Sequence, residues 1–150
     1  MMNFNITSRL RWGLPLLGLS FLTTSPVLPA ELTVAVTGIN SDAGEIGCAL
    51  YGGADGFPME PSKATEQWLD AQKTGVQCQF ADLDPGVYAV AVSHDFNGNR
   101  QTDTNFLGMP KEPWGVSNNA RPRFRAPSFD EAAVQLAQDA GYRIEVRVAQ

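Results

Sequence analysis

Apolar and polar residues alternate along much of the chain beyond residue 30, and helical spacing is scarce. Leu32, Val34 and Val36, for example, are separated by Thr and Ala. Because successive side chains of a β-strand point to opposite faces, this period of two predicts strands that bury one face. The pattern predicts seven short strands, at residues 32–37, 46–51, 65–71, 76–80, 87–92, 133–137 and 142–148.

Turn-forming residues separate these strands and predict how they connect. Residues 40–44 predict a hairpin between the first two strands, and residues 138–141 predict a terminal hairpin. Between the fourth and fifth strands, Pro85 presets its own φ and Gly86 is expected to supply a positive φ, which makes a tight turn. Short strands without a long helix favour an all-β, antiparallel sandwich.

Residues 94–131 interrupt this pattern. They show little alternation and are rich in Asn, Gly and Pro. A connection of this length inside a compact domain is rarely passive. We therefore expect any functional site to lie here.

The first thirty residues are typical of a secretory signal peptide. Arg9 and Arg11 form a positive start, residues 13–22 are apolar but too short to span a bilayer, and Ala30 is a plausible cleavage residue. The alternative is an uncleaved N-terminal anchor. We predict a signal peptide at 1–30, a β-sandwich domain at 31–150, and a periplasmic or secreted location.

The charge of the chain argues against nucleic-acid binding. The whole sequence has a formal charge of −5, and loss of Arg9 and Arg11 with the leader leaves nine basic against 16 acidic residues, a charge of −7. An acidic surface repels phosphate backbones but is compatible with cation binding.

The two cysteines, Cys48 and Cys78, fit an exported protein. Both fall on the apolar parity of a predicted strand, so both are expected to face the core. An oxidising compartment favours a disulfide, which would stabilise the fold by roughly 3–4 kcal/mol in the chain-entropy picture. The alternative is a pair of buried free thiols.

The loop that follows His94 has the spacing of an oxygen-rich calcium loop. The candidate ligands are Asp95, Asn97, Asn99, the backbone carbonyl of Gln101, and Asp103. Phe106 stands where a calcium loop has a bidentate Glu, and Arg100 where it has a turn-forming Gly. The alternative is a loop in which Asp and Asn side chains bond nearby backbone amides. His94, the only histidine, is assigned no role.

A second candidate site lies further along the same segment. Trp114 and Phe106 are expected to form an apolar binding face, and Asn118 and Asn119 to bond a polar ligand or cap a turn. The alternating Arg121, Arg123 and Arg125 form a small basic stripe. Such a stripe can capture an anionic glycan, a lipid headgroup or a carboxylate. The alternative is an edge strand whose arginines pair with the chain's own acids.

Catalysis finds little support in the sequence. The common nucleophile and metalloprotease motifs are absent, and a single histidine cannot serve several acid–base roles. We therefore expect a protein that is not an enzyme and has no established cofactor beyond the calcium candidate. The remaining enzymatic alternative is a hydrolase that uses Asp95 and Asp103 as a carboxylate pair.

Several uncommon sequence words occur together and resemble an uncharacterised family of small exported bacterial proteins, domain-of-unknown-function family 2141. They are LTVAVTG (32–38), GFP (56–58), DLDPGVYAVAVSHDFNGN (82–99), TNFLGMPKEPWGVSNNA (104–120) and PSFDEAAV (127–134). The resemblance runs from Leu32 to about Val148. The family typically has a glycine where Arg100 stands, which weakens the calcium interpretation.

Residues 83–88 are also similar to the turn and strand of transthyretin-like and carboxypeptidase-regulatory-like sandwiches. These resemblances imply a seven-stranded Greek-key β-sandwich in the cell envelope and imply no activity. Two functions are then in view: a module that binds an envelope protein, a glycan or a small ligand through loops 94–125, and a purely structural or interaction domain without a ligand.

Overall fold

The computed structural model describes residues 29–101, 103–107, 110–138 and 140–150. The predicted signal peptide lies outside these residues except for its last two, and Ala30 already belongs to the first strand. The described residues form eight strands, one short α-helix and two single-turn 3-10 helices (Pro61–Lys63 and Ser117–Asn119). The strands and the α-helix are β1 (Ala30–Thr37), β2 (Glu45–Tyr51), β3 (Thr65–Asp70), β4 (Val76–Leu83), β5 (Gly86–Asp95), β6 (Trp114–Val116), α1 (Phe129–Ala132), β7 (Val134–Leu136) and β8 (Gly141–Arg147).

The strands form two sheets that pack face to face. One sheet has the order β4-β1-β8, and the other has the order β3-β2-β5-β6, with β7 paired to the start of β5. All seven predicted strands are present, so the all-β sandwich is confirmed. The eighth strand, β6, was not predicted, because three residues are too few to show alternation.

The core lies between the sheets and consists of the apolar side chains that the alternation predicted to face inward. Leu32, Val34 and Val36 of β1 are buried, as are Val90 and Val92 of β5. The apolar side chains that these strands turn inward exclude water from both inner faces, which is the main stabilising term of the fold.

The predicted disulfide is confirmed and crosses this core. Cys48 of β2 and Cys78 of β4 are both fully buried, and their Cα atoms are 6.5 Å apart. Because β2 and β4 belong to different sheets, the bond links the two layers covalently, from the inner strand β2 of one sheet to the edge strand β4 of the other.

Both predicted hairpins are wrong, and so is the purely antiparallel arrangement. β1 and β2 lie in different sheets, and so do β7 and β8; β8 pairs with β1 in parallel. A turn signal shows that the chain reverses, but it does not show whether the next strand returns beside the first or crosses to the facing sheet. Here the chain crosses at both turns. β1 and β2 turn their apolar side chains toward the same core from opposite sheets, and so do β7 and β8.

The turn before β5 also differs from its prediction. β4 ends at Leu83 and β5 begins at Gly86, in the other sheet, so a short connection is present. The positive φ, however, lies at Asp82 (55°) and not at Gly86. Aspartate tolerates this conformation better than most residues because its short side chain can bond locally.

Hydrogen bonds close both open edges of the sandwich. At one edge, the amide of Gln67 in β3 accepts from the backbone N–H of Gln79 in β4 (2.8 Å) and donates to its carbonyl. At the other edge, Trp114 and Ala149 exchange two backbone hydrogen bonds of 3.0 and 3.1 Å. These bonds occupy strand edges that would otherwise be free to pair with another chain.

The segment 94–131 is more ordered than its composition predicts. It contains the end of β5, all of β6 and the start of α1. Helix α1 begins with a capping box between Ser128 and Glu131. Hydrogen bonds from Arg125 and then from Ser128 lower the pKa of Glu131 to about 2. None of the helices in the described residues is long and apolar enough to cross a membrane.

Replacing both bridged cysteines, Cys48→Ala with Cys78→Ala, is expected to lower the free energy of unfolding by about 3–4 kcal/mol, because the unfolded chain regains the entropy of the opened loop. Urea denaturation with and without a reductant measures the loss. The reductant should lower the wild-type midpoint toward that of the double variant and leave the double variant unchanged. A wild-type urea midpoint that is the same with and without the reductant would contradict the prediction.

Candidate functional site: an aromatic groove on the five-stranded sheet

The outer face of the five-stranded sheet carries unusually small side chains at its centre. Since the core takes one parity of β2 and β5, the other parity faces outward, and it presents Gly47 and Ala49 from β2 with Ala91 and Ser93 from β5. Small residues leave room above the strands: Gly47 and Ala49 are buried beneath neighbouring side chains, and Ala91 and Ser93 are partly exposed.

Two tryptophans flank these small residues in one row across the sheet. Trp68 of β3 lies opposite Gly47, Gly47 opposite Ser93, and Ser93 opposite Trp114 of β6. Neighbouring strands are spaced by about 4.8 Å, so the Cα atoms of the two tryptophans are about 14 Å apart. We call the space between them the aromatic groove, with the four small residues as its floor, Trp68 and Trp114 as its sides and Tyr51 at one end.

Trp68 lies over the backbone of Gly47. A Cβ at Gly47 would fall 2.5 Å from two carbons of the indole ring, so only glycine allows this position of the ring. The guanidinium of Arg100 lies over the same indole, 5.5 Å from the centroid of a ring. Arg100 also donates two hydrogen bonds to Glu45, of 2.8 and 3.0 Å, which lower the pKa of that carboxyl. Arg100 is therefore committed to Glu45 and Trp68.

Trp114 is held in a similar way by Arg121. The guanidinium lies 4.3 Å from the centroid of the Trp114 ring and donates to the backbone carbonyls of Trp114 and Ala149. This contact ties β6 to the chain end that follows β8. It fixes the position of the second aromatic side of the groove.

Tyr51 brings a buried polar group to the groove. Its side chain is only 1% exposed, and its ring packs edge-on against Phe57, with centroids 5.2 Å apart. The hydroxyl has no hydrogen-bond partner among the described residues. Burial, with the nearby charges of Glu66 and Glu60, raises the pKa of Tyr51 to about 12, so the phenol stays protonated at neutral pH. A buried donor without an acceptor costs free energy.

The predicted calcium loop is held together by its own hydrogen bonds. Asp95 is fully buried at the end of β5, and its carboxylate accepts from the backbone N–H groups of Asn97 (3.1 Å), Gly98 (2.9 Å) and Arg100. Arg100 has a positive φ of 55°, in the position where a calcium loop has glycine. This is the Asx-type loop named as the alternative.

The remaining candidate ligands bond within the same loop. Asp103 accepts from the side-chain amides of Asn97 (2.7 Å) and Asn99 (3.3 Å), and the Asn99 side-chain oxygen accepts from the N–H of Gln101 (2.8 Å). Across the described part of the chain, no three His, Cys, Asp or Glu side chains converge on a point that could hold a metal. Calcium binding stays a prediction.

His94 and Glu112 support the base of this loop. His94 is fully buried, its Nε2 lies 2.9 Å from the carbonyl oxygen of Ala43, and its ring packs on Phe96 with centroids 4.2 Å apart. Glu112 accepts from the N–H of Phe96 (2.9 Å). Both side chains therefore position the turn that leaves β5.

The second predicted site divides into separate parts. Trp114 does line the groove, but Phe106 is 94% exposed and does not. Asn118 donates to the carbonyl of Ala133 (2.9 Å), and Asn119 accepts from the N–H of Arg147 (2.8 Å), so both amides hold neighbouring backbone in place. Their positive φ values, 59° and 51°, are ones that asparagine tolerates.

The expected arginine stripe is not a strand. Residues 121–125 have no strand conformation, so the edge-strand alternative is wrong. Arg121 contacts Trp114, and Arg123 is exposed. Arg125 pairs with Glu131 at 2.7 Å, which is the pairing with an acidic residue of the chain that the alternative predicted. The three guanidinium groups thus take different environments.

Sequence reasoning missed most of the groove. Trp68 lies in the predicted strand with the weakest alternation. Gly47 and Ser93 fall on the outward-facing positions of their strands, which the core prediction did not use. One signal was available. The outward-facing residues of β2 and β5 are small and mostly apolar, whereas a solvated sheet face normally carries polar residues.

Comparison with known proteins finds a family but no individual relative. Residues 34–144 match the profile of a family described as an uncharacterized protein conserved in bacteria, DUF2141. No curated protein and no solved structure matches the chain.

A Gly47→Ala variant is expected to displace Trp68, because the new methyl group would overlap the indole. Overpacking of this kind costs about 1–3 kcal/mol. The emission of Trp68 and the midpoint of urea unfolding report the change. Gly53→Ala is the control, since its Cβ would meet no atom within 4 Å. Equal effects of the two substitutions would contradict the proposed contact.

An Asp95→Ala variant is expected to destabilise the fold by about 3 kcal/mol or more, because several backbone amides lose a buried acceptor at roughly 1–3 kcal/mol each. Thermal unfolding with and without millimolar calcium measures this. Asp103→Asn, at the loop's less buried carboxylate, should cost less. A wild-type melting temperature that rises with calcium, and does not rise in Asp95→Ala, would support the metal site instead.

Proposed function

Since this chain belongs to the DUF2141 family, whose description names no activity, we propose its function from its own geometry: it is a binding module of the bacterial cell envelope, without catalytic activity, that holds a ligand in the aromatic groove. The observation that carries the proposal is Tyr51, which lines a groove flanked by two tryptophans and whose buried hydroxyl has no partner among the described residues. A ligand with an acceptor would satisfy it.

The shape of the groove supports binding. Ligand sites are concave, mostly apolar and equipped with a few placed polar groups. Here Trp68 and Trp114 supply the apolar area, and Tyr51, Ser93 and Glu66 supply the polar groups. Rigid aromatic side chains lose little conformational entropy when a ligand binds, which favours affinity.

The chemistry of the lining favours binding over turnover. The raised pKa of Tyr51 makes its phenol a donor and not a base near neutral pH. Arg100 is already paired with Glu45. The alternative carboxylate pair is similarly committed, because Asp95 and Asp103 accept hydrogen bonds from the loop around them.

An envelope location is supported by the signal-peptide pattern and by the disulfide. Disulfides persist in oxidising compartments such as the periplasm and the outside of the cell. A purely structural role remains the second function, supported by the closed sheet edges.

We propose further that the sandwich is of the transthyretin type. The strand orders β4-β1-β8 and β3-β2-β5-β6, with β1 and β8 parallel, support this topology. Experimental coordinates in which β1 and β8 run antiparallel would contradict it.

Filling the groove tests the binding function. In an Ala91→Phe variant, a large side chain should occupy the floor and block the ligand. Ala35→Phe is the matched control, because Ala35 also faces outward from a central strand, but on the opposite sheet. The sequence has three tryptophans: Trp68 and Trp114 flank the groove, and Trp12 lies in the predicted signal peptide. The intrinsic emission of the protein without residues 1–30 therefore reports on the groove.

The probes are three soluble pools: peptidoglycan fragments, polysaccharide released from lipopolysaccharide, and a random peptide library. At least one pool should change the emission of the wild type and of Ala35→Phe, and should leave Ala91→Phe unchanged. A wild type that responds to none of the pools would overturn the proposal. An unaltered response in Ala91→Phe would do the same.

A further inference from the structure

We infer that the ligand of the aromatic groove is a glycan of uncharged or amino-substituted pyranose units, with one sugar ring on the floor between Trp68 and Trp114. This inference rests on the proposed binding function. It follows from the hydrogen-bonding groups, the charges and the strand geometry at the groove.

The apolar sides of the groove suit the faces of a sugar ring. A pyranose presents C–H bonds on its faces and hydroxyl groups around its rim. The face of an indole is electron-rich, so it attracts polarised C–H groups. Because Trp68 covers Gly47, a flat ring can approach the strands at Ala91 and Ser93, which have small side chains and are partly exposed.

The polar groups suit the rim of the same ring. Tyr51 is a buried donor with no acceptor among the described residues, and Glu66, which also lines the groove, is an acceptor close enough to raise the Tyr51 pKa. A hydroxyl group both donates and accepts, so adjacent sugar hydroxyls can accept from Tyr51 and donate to Glu66. A ligand with acceptors alone could not bond to Glu66, because an ionised carboxylate only accepts.

The charges at the groove disfavour an anionic ligand. Glu66 lines the groove, and Glu60 lies close enough to act on Tyr51. The guanidinium of Arg100 is bound to Glu45 through two hydrogen bonds and also interacts with the charge of Glu66, so a single cation offsets only part of the charge of these carboxylates. A phosphate, a uronic acid or another carboxylate would meet net negative charge. This differs from the anionic ligand that the arginine stripe suggested from sequence.

The strand geometry disfavours a peptide in extended conformation. Peptides often bind by adding a strand to an open sheet edge, where backbone groups are free. The groove instead lies over β2 and β5, whose backbone groups pair with neighbouring strands on both sides. Recognition must therefore come from side chains, as it does for sugars.

The decisive experiment titrates the protein with uncharged oligosaccharides (chito-, cello-, malto- and manno-oligosaccharides), with oligogalacturonate as the acidic counterpart, and with a proline-rich peptide. Tryptophan emission and calorimetry report binding. We expect at least one uncharged series to bind and the acidic one not to. Glu66→Gln should reduce the discrimination against oligogalacturonate.

Tyr51→Phe separates a ligand-binding hydroxyl from a structural one. It should weaken binding of the uncharged oligosaccharide by about three- to tenfold, the value of one hydrogen bond. It should also raise the melting temperature of the free protein, because an unsatisfied buried group is removed. Tyr142→Phe is the control: its hydroxyl accepts from the N–H of Ala137, so its loss should lower stability and leave binding unchanged.

The outcomes distinguish this inference from the binding function it rests on. Groove-dependent binding of the peptide, or of oligogalacturonate alone, overturns the sugar ligand and leaves the binding module intact. Tyr51→Phe with wild-type affinity overturns the role of the hydroxyl. Failure of every probe here, together with every pool above, overturns both.

Discussion

The structure depends on the packing of two sheets whose inward faces share one apolar core and are linked covalently through Cys48 and Cys78. Once the inward parity of β2 and β5 is fixed by this core, the outward parity is fixed as well, because strand side chains alternate. The groove is thus a consequence of core packing: the same register that turns Cys48 and Val92 toward the core turns Gly47 and Ser93 toward the other face.

The outer face of the five-stranded sheet is used in two ways. Toward one end, Ala89 and Val116 are covered by Phe57, Phe129 and Ala132, which form a second small apolar cluster. Toward the middle, the indole of Trp68 covers Gly47, and Ala91 and Ser93 stay partly exposed between the two tryptophans. We propose that the ligand binds over this partly exposed part.

The polar segment 94–131 serves this site more by holding it than by forming it. Its Asp and Asn side chains satisfy their own loop, and that loop carries Arg100 onto Trp68. Further along, Arg121 fixes Trp114 against the chain end. From the sequence, these charged residues suggested that the segment captures a ligand. In the structure most of them bond within the protein, because a buried or half-buried charge is unstable without a partner.

The sequence by itself determined seven of the eight described strands, the core parity, the disulfide partners and the family, because alternation and residue type are local properties. Only the tertiary structure decided which strands are neighbours, since a turn between two alternating runs is equally compatible with a hairpin and with a crossing between sheets. It also decided the site: Tyr51, Trp68 and Trp114 come from three strands, and their proximity depends on cross-strand register. Register arises from the packing of both sheets together, and no single stretch of the chain encodes it.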